Sequence, residues 1–189
     1  KLDQAKEILN KIIDKNPNYI SAKNNLGLIY MDKKEFTTAL KIFSEILMIN
    51  KMFFEAYQNI AKIYNLMKRY DNAIEISQEA LSKFPNMTFP YNSLGLSYYK
   101  MGDYNKSLKF LKKAISINEL DYHCHNNLGN TYKKLGKINF SLKAFFKSLI
   151  IKFPFEEASS SFLSLIVQLE EFNNIKYIQV LLDIELRAI

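Results

Sequence analysis

The sequence predicts an all-α fold in which helix–turn–helix hairpins repeat along the chain. The strings NNLGLIY, QNIAKIY, NSLGLSY and NNLGNTY begin at residues 24, 58, 92 and 126, so one motif recurs every 34 residues. Within it, Leu or Ile, Gly or Ala, and Tyr stand at spacing 0, +1 and +4, on one side of a helix. The 189 residues include only 5 Gly and 4 Pro, which is little turn material for a sheet fold. A fixed period of this length is typical of stacked repeats.

The recurring motif lies in the first helix of each hairpin. Its Gly or Ala column lacks bulk, so the backbone of a neighbouring helix can approach closely. Turn signals such as Met101-Gly102-Asp103 and Leu135-Gly136-Lys137 follow the motif. The columns predict first helices near residues 21–33, 55–67, 89–101, 123–135 and 156–169.

A second small column, which contains Ala39 and Ala73, marks the second helix of each hairpin. Prolines such as Pro85 and Pro154 follow these helices, where a helix must end. Second helices are predicted near residues 36–49, 70–83, 104–117, 138–151 and 172–187. Residues 1–15 have only second-helix columns, so we expect the natural array to extend before Lys1.

These helices divide the chain into predicted repeat units. Residues 1–19 are the second helix of a truncated repeat, and complete repeats span 20–53, 54–87, 88–121 and 122–155. Residues 156–189 form a degenerate C-terminal hairpin. Bulky Leu163 and Ile175 replace the small residues of its columns, and the apolar residues of its last helix occupy more than one face. We therefore expect this hairpin to be covered by a dimer partner, by a following domain or by the last helix folding back onto the superhelix.

The pattern resembles the tetratricopeptide repeat (TPR) family. The resemblance rests on Leu94-Gly95, Tyr98, Gly102-Asp103-Tyr104 and Ala114, and it covers roughly residues 1–155, with weaker agreement over 156–189. It implies a right-handed superhelical solenoid, here of about eleven helices, whose first helices line a concave face. It also implies a protein–protein interaction scaffold that binds a peptide or partner segment in that groove.

Two amide-rich columns precede the Leu column on the predicted concave face. They hold seven amides, with Ser93 as the one shorter rung: Asn24, Asn25, Gln58, Asn59, Asn92, Asn126 and Asn127. An amide offers donors and an acceptor, so it can pair with an extended peptide backbone of any sequence. The columns are similar to the asparagine ladder of O-GlcNAc-transferase-like glycosyltransferases. In the alternative interpretation, one column supports the inter-helix turn or faces water.

The charge is uneven along the chain, whose formal net charge is +7. Residues 100–152 carry 11 basic and 3 acidic side chains, in the pattern of a solvated helical face. Arg69 is the only arginine before residue 153, which argues against nucleic-acid recognition. Late on the first helices, Lys100, Lys133 and Lys134 could attract an acidic ligand. The carboxylate clamp known in the family is not matched, because Asn24, Phe89 and Ser93 stand where basic residues are needed.

The residues of the chain predict no enzyme, no metal site and no cofactor. His123, Cys124 and His125 are consecutive, so they point in different directions on a helix and cannot converge on one metal. No phosphate loop or dinucleotide fingerprint is present. The absence of a long apolar run argues against a membrane span, and one cysteine requires no oxidising compartment, which favours the cytoplasm.

Three functional interpretations follow from the sequence. The leading one is an interaction scaffold with a protein or peptide partner in its groove. The chain could instead be the non-catalytic TPR arm of a larger enzyme, such as an O-GlcNAc-transferase-like glycosyltransferase. It could also be a self-assembling architectural protein.

Overall fold

The computed structural model describes residues 2–152 and 159–164, and every regular element in this part of the chain is helical. The nine helices with defined bounds are α1 (Leu2–Lys15), α2 (Ile20–Asp32), α3 (Phe36–Ile49), α4 (Phe54–Leu66), α5 (Tyr70–Lys83), α6 (Thr88–Met101), α7 (Tyr104–Ile117), α8 (Tyr122–Lys134) and α9 (Ile138–Ile151). The predicted all-α fold is confirmed. Residues 159–164 are also helical, within the predicted first helix at 156–169. The rest of the predicted C-terminal hairpin lies outside the described residues.

The predicted second helices agree with α3, α5, α7 and α9 at both ends, whereas the first helices begin one residue earlier than predicted. In α2, the backbone of Tyr19 is extended, and its carbonyl accepts a hydrogen bond from the Lys23 N–H at 3.1 Å. The first turn therefore starts at Ile20, ahead of the apolar columns. The side-chain pattern defines the buried face of a helix but does not define its first turn.

The turns after α2, α4, α6 and α8 each have a residue with positive φ at the same place in the repeat. These residues are Lys34, Lys68, Gly102 and Gly136, with φ of 61°, 59°, 91° and 69°. After α2, the N–H of Lys34 bonds to the carbonyl of Met31, and the N–H of Glu35 bonds to that of Tyr30. This is the Schellman arrangement, which ends a helix and favours glycine at the left-handed position.

The chain divides into two compact units, residues 1–117 and 118–189. Unit 1 contains α1–α7, and unit 2 contains α8 and α9. In unit 1, α4 packs against both α2 and α6, whereas no Cα of α3, α5 or α7 lies within 8 Å of another of these three helices. The first helices are thus the closer-packed layer and the second helices the more widely spaced one. We call the side formed by α2, α4 and α6 the inner face of unit 1, and the opposite side the outer face.

Small residues of the first helices lie directly against large residues of the second helices. A Cβ added to Gly27 would lie 2.8 Å from the Phe43 ring, and one added to Gly129 would lie 2.6 Å from the Phe145 ring. Both rings are fully buried. The predicted role of the Gly column, which is to let a neighbouring helix approach closely, is confirmed at these contacts.

Candidate functional site

The predicted amide columns of unit 1 lie on α2, α4 and α6, the helices of the inner face. Asn25 and Gln58 are exposed, whereas Asn24 and Asn59 are half-buried. The residues two and three positions after Asn24, which are Leu26 and Gly27, are buried against α3. The helical register therefore leaves the amides at the edge of the packed stripe, where a ligand can reach them.

One hydrogen bond joins the amides of successive repeats. The Nδ2 of Asn59 lies 3.5 Å from the Oδ1 of Asn24, with Asn59 as the donor. This distance is at the long end for a hydrogen bond, so the contact is weak. It nevertheless aligns an amide of α4 with an amide of α2, and it leaves the Nδ2 of Asn24 and the Oδ1 of Asn59 for other partners.

The third rung, on α6, consists of Asn92 and Ser93, and both are half-buried. Asn92 has an interaction partner within the protein. Lys100 stands exposed near the end of the same helix, with its Nζ 5.9 Å from the centre of the Tyr99 ring. The helices of the inner face of unit 1 thus combine exposed amides with two exposed lysines, Lys62 of α4 and Lys100 of α6.

In unit 2, α8 carries the remaining predicted site residues. Asn127 is half-buried and has a partner within the protein. Lys134 is exposed, whereas Lys133 is half-buried and donates a hydrogen bond to Ser164 Oγ at 3.2 Å. Lys133, which the sequence suggested could attract an acidic ligand, therefore already bonds to a residue of the protein.

Asn126 differs from the other ladder residues because its side chain is buried. Only 6% of the residue is exposed, and its Oδ1 has no hydrogen-bond partner in the described part of the chain. Its neighbours Cys124 and His125 are buried as well, and the His125 Nε2 lies 2.8 Å from the Glu119 carbonyl oxygen. The start of α8 is thus more enclosed than the start of α2, so the expected accessible amide is not found at Asn126.

Sequence reasoning missed a buried polar contact between α4 and α6. The Nδ2 of Asn65 donates to Ser97 Oγ at 2.9 Å and to the Ala61 carbonyl at 3.0 Å, while its Oδ1 is buried without a partner. The repeat columns contained a signal for this contact, because a polar residue replaces an apolar one in two of them. Asn65 corresponds to Met31 of the preceding repeat, and Ser97 corresponds to Ile63 of the repeat before its own.

The His/Cys cluster has the character of packed structure rather than of a reactive site. Cys124 is fully buried, and burial, with the nearby Asp121 as a lesser cause, raises the pKa of its thiol far above the usual range. The nucleophilic thiolate is therefore disfavoured. Among the described residues, no three His, Cys, Asp or Glu side chains are grouped closely enough to hold a metal ion. None of the helices described is long and apolar enough to span a membrane.

Profiles of the tetratricopeptide repeat family match residues 20–51, 54–86 and 90–119. The chain belongs to the tetratricopeptide repeat family. The matched segments contain the helix pairs α2–α3, α4–α5 and α6–α7 of unit 1. Comparison with curated protein sequences gave no significant match.

Solved structures show the same TPR solenoid fold. A crystal structure of MamA superposes on this chain with a TM-score of 0.65 and 25% sequence identity, and the match covers 79% of this chain and 88% of that chain. TTC0263, a TPR protein of Thermus thermophilus, is 16% identical with a TM-score of 0.77, covering 88% and 91%. The APC/C hetero-tetramer Cut9–Hcn1 gives 17% identity and a TM-score of 0.80; the match covers 92% of this chain but 35% of that one.

TPR proteins generally bind other proteins, and the family is typically non-catalytic. In general terms, therefore, this TPR chain is a protein-interaction scaffold.

Proposed function

We propose that the inner face of unit 1 binds an extended peptide segment of a protein partner through its amide columns. The observation that carries the proposal is the exposure of Asn25 and Gln58 on successive first helices, beside the half-buried Asn24 and Asn59. A side-chain amide can donate to a peptide carbonyl and accept from a peptide N–H. Recognition of this kind uses the backbone of the ligand and tolerates many side chains.

The spacing of the helices suits an extended ligand. Packed helices lie about 8–10 Å apart, and an extended chain rises about 3.3 Å per residue. One repeat therefore corresponds to about three residues of the ligand. The Asn59–Asn24 hydrogen bond, at 3.5 Å, aligns the two amides. Because this bond is weak, a peptide ligand can replace it with little loss of free energy.

Charge supplies a second element of recognition. Lys100 is exposed at the end of α6, on the same layer of helices as the amides. A carboxylate of the bound segment placed there would gain a charge-assisted hydrogen bond. We accordingly propose a ligand with an acidic residue toward its α6 end.

The test begins with peptides selected from a random library on the wild-type chain. The dissociation constant of the best peptide is then measured for Asn25→Ala/Asn59→Ala and for the control Asn10→Ala, which removes an exposed amide of α1. We expect about tenfold weaker binding, or about 1.4 kcal/mol, for the double variant and no change for the control. The same peptide with N-methylated backbone amides should lose binding. Equal affinities of all three proteins for the unmodified peptide would refute the proposal.

We also infer that this chain contributes binding rather than catalysis. The supporting observation is the buried Cys124 thiol, whose pKa is raised by burial and which is not poised as a nucleophile. The reading frame of the whole protein would test whether the TPR array is joined to a catalytic domain.

A further inference from the structure

The outer face of unit 1 contains a trough between the second helices α3 and α5. Their backbones do not approach within 8 Å, and the space between them encloses about 490 Å³. Its floor is one face of α4, formed by Tyr57, Ile60 and Tyr64. We call this feature the outer trough; by the helical register of α4, it lies on the side of that helix opposite to the amides Gln58 and Asn59.

One wall of the outer trough is an exposed apolar edge. Leu47 and Met48 of α3 line it, and Met48 is 74% exposed. Met52, which follows in the next turn, is 57% exposed. At the 34-residue period, the equivalents of these methionines are polar at Asp14, Ser82 and Ser116 for Met48 and at Asn18 and Asn86 for Met52, whereas Ile150 and Leu120 are apolar and exposed. Among the repeats of unit 1, only this one has apolar side chains at both positions.

Methionine at such an edge fits a binding surface. Its side chain is unbranched and polarizable, and it adapts its shape to an apolar partner. Exposed apolar side chains that are grouped beside a groove, rather than scattered singly, mark interaction sites.

The opposite wall, formed by α5, is acidic. Glu75 lines the trough, and Asp71 stands one turn earlier on the same helix; both are exposed, and neither makes an ion pair within the described residues. Glu79 is different, because it accepts a hydrogen bond from the Tyr57 hydroxyl at 2.9 Å and pairs with Lys83 at 3.3 Å. At that end of the trough, Lys51 is exposed and makes no ion pair within the same part of the chain.

We propose that the outer trough binds an amphipathic helix of a partner protein. The apolar stripe of that helix packs on Leu47, Met48 and Ile76. A lysine or arginine pairs with Glu75, and a carboxylate at the other end of the helix pairs with Lys51. The trough extends from Ser44 of α3 to Lys51, which follows that helix; these eight positions rise about 10 Å, which matches two turns of a docked helix.

The charges set the direction of the docked helix. A free carboxylate at one end of the trough and a free ammonium at the other favour one orientation of a partner whose own charges are separated in the opposite sense. The interaction uses α3, α4 and α5 from the outer side. It is independent of the peptide binding proposed for the inner face.

The test uses a synthetic helix of about four turns, with leucine and methionine on one stripe, two lysines at one end and two glutamates at the other. Its affinity is measured for the wild-type chain and for Met48→Ser/Met52→Asn, which installs the residues of the equivalent positions. We expect the double variant to bind about tenfold more weakly. Ser116→Asp, a change at the corresponding position of α7, is the matched control and should bind as the wild type does. Thermal melting verifies that each variant is folded.

Charge reversal tests the polar half of the proposal. Asp71→Lys/Glu75→Lys should weaken binding of the same helix about tenfold. Adding Lys51→Glu should restore it, because the charges at the two ends are then exchanged and the helix docks in the reverse direction. A purely structural role of these residues predicts no such recovery.

Two results would overturn the proposal. One is an unchanged affinity of the synthetic helix for Met48→Ser/Met52→Asn. The other is a dimer of the chain alone, seen in sedimentation and abolished by that variant, which would assign the trough to a second copy. Asn25→Ala/Asn59→Ala should leave binding of the synthetic helix unchanged, so that failure of the inner-face proposal is distinguishable from failure of this one.

Discussion

Leu111 occupies the space that a side chain at Gly95 would need, because a Cβ on Gly95 would lie 2.6 Å from the Leu111 Cγ. The two residues are separated by sixteen positions, as are Gly27 and Phe43, and Gly129 and Phe145. The repeat between Gly27–Phe43 and Gly95–Leu111 has Ala61 and Ser77 at the same positions. Where the first helix has alanine instead of glycine, the second helix thus has serine instead of leucine or phenylalanine. This is expected where side-chain volumes are matched in a packed core.

This volume matching predicts that the effect of Gly95→Ala changes sign with its partner. In the wild-type chain, we expect a loss of about 1 kcal/mol in unfolding free energy, since overpacking costs about 1–3 kcal/mol. In a Leu111→Ser background, the clash is gone, and the better helix propensity of alanine should stabilise by about 0.5–1 kcal/mol. Urea unfolding followed by circular dichroism measures both. The same sign in both backgrounds would contradict the packing described here.

The left-handed turn residues predict a stabilising substitution. Lys68 has φ of 59° at the position where Gly102 has 91°. Since the left-handed conformation costs an L-residue about 1–2 kcal/mol, Lys68→Gly should raise stability by about 1 kcal/mol. Gly102→Ala is the reciprocal control and should lower stability by a similar amount. Thermal melting of the two variants gives the comparison. A fall in melting temperature for Lys68→Gly would contradict this account.

The buried pair of Asn65 and Ser97 predicts non-additive effects. Ser97→Ala removes the 2.9 Å hydrogen bond between α4 and α6 and should cost about 1 kcal/mol. Asn65→Leu/Ser97→Ala also removes the buried Oδ1 of Asn65, which has no partner, and should be no less stable than Ser97→Ala. Equilibrium unfolding of the single and double variants determines the coupling. A double variant clearly less stable than Ser97→Ala would contradict the cost assigned to the unpaired Oδ1.

Asp103 predicts an acid-sensitive contribution to the start of α7. Its Oδ1 accepts a hydrogen bond from the Lys106 N–H at 3.0 Å, and its Oδ2 lies 3.0 Å from the Lys106 Nζ. The backbone N–H first, and then the ammonium, hold the pKa of the Asp103 carboxyl below its ordinary value of 3.8. A carboxyl with a lowered folded-state pKa stabilises the fold above its unfolded value and loses this contribution as the pH falls.

The melting temperature should therefore fall below pH 4 more steeply in the wild type than in Asp103→Asn, which retains a capping acceptor but does not titrate. Asp32→Asn, at an exposed carboxylate at the end of α2, serves as the control. Parallel curves for the wild type and Asp103→Asn would show that this carboxyl contributes nothing that depends on pH.

Much of this fold could be predicted because the motif occurs in four repeats, so that each position of a helix is compared four times. The bounds of α3 and α5 follow from small columns and from the residues that end a helix. The burial of Asn126 could not be predicted, because it depends on how its whole helix is enclosed, whereas its column is accessible at Gln58. The Asn65–Ser97 hydrogen bond joins residues of two different repeats, and a column compares positions without showing which columns touch.

The sixteen-residue pairs have a consequence for how such a chain can grow. Gly95 and Leu111 are encoded within a single 34-residue segment, as are Gly27 and Phe43. A duplication of one segment copies both the glycine, which leaves space between the helices, and the large side chain that fills this space. An inserted or deleted repeat therefore leaves this part of the core complementary, and the array can change length in one genetic event without a compensating mutation.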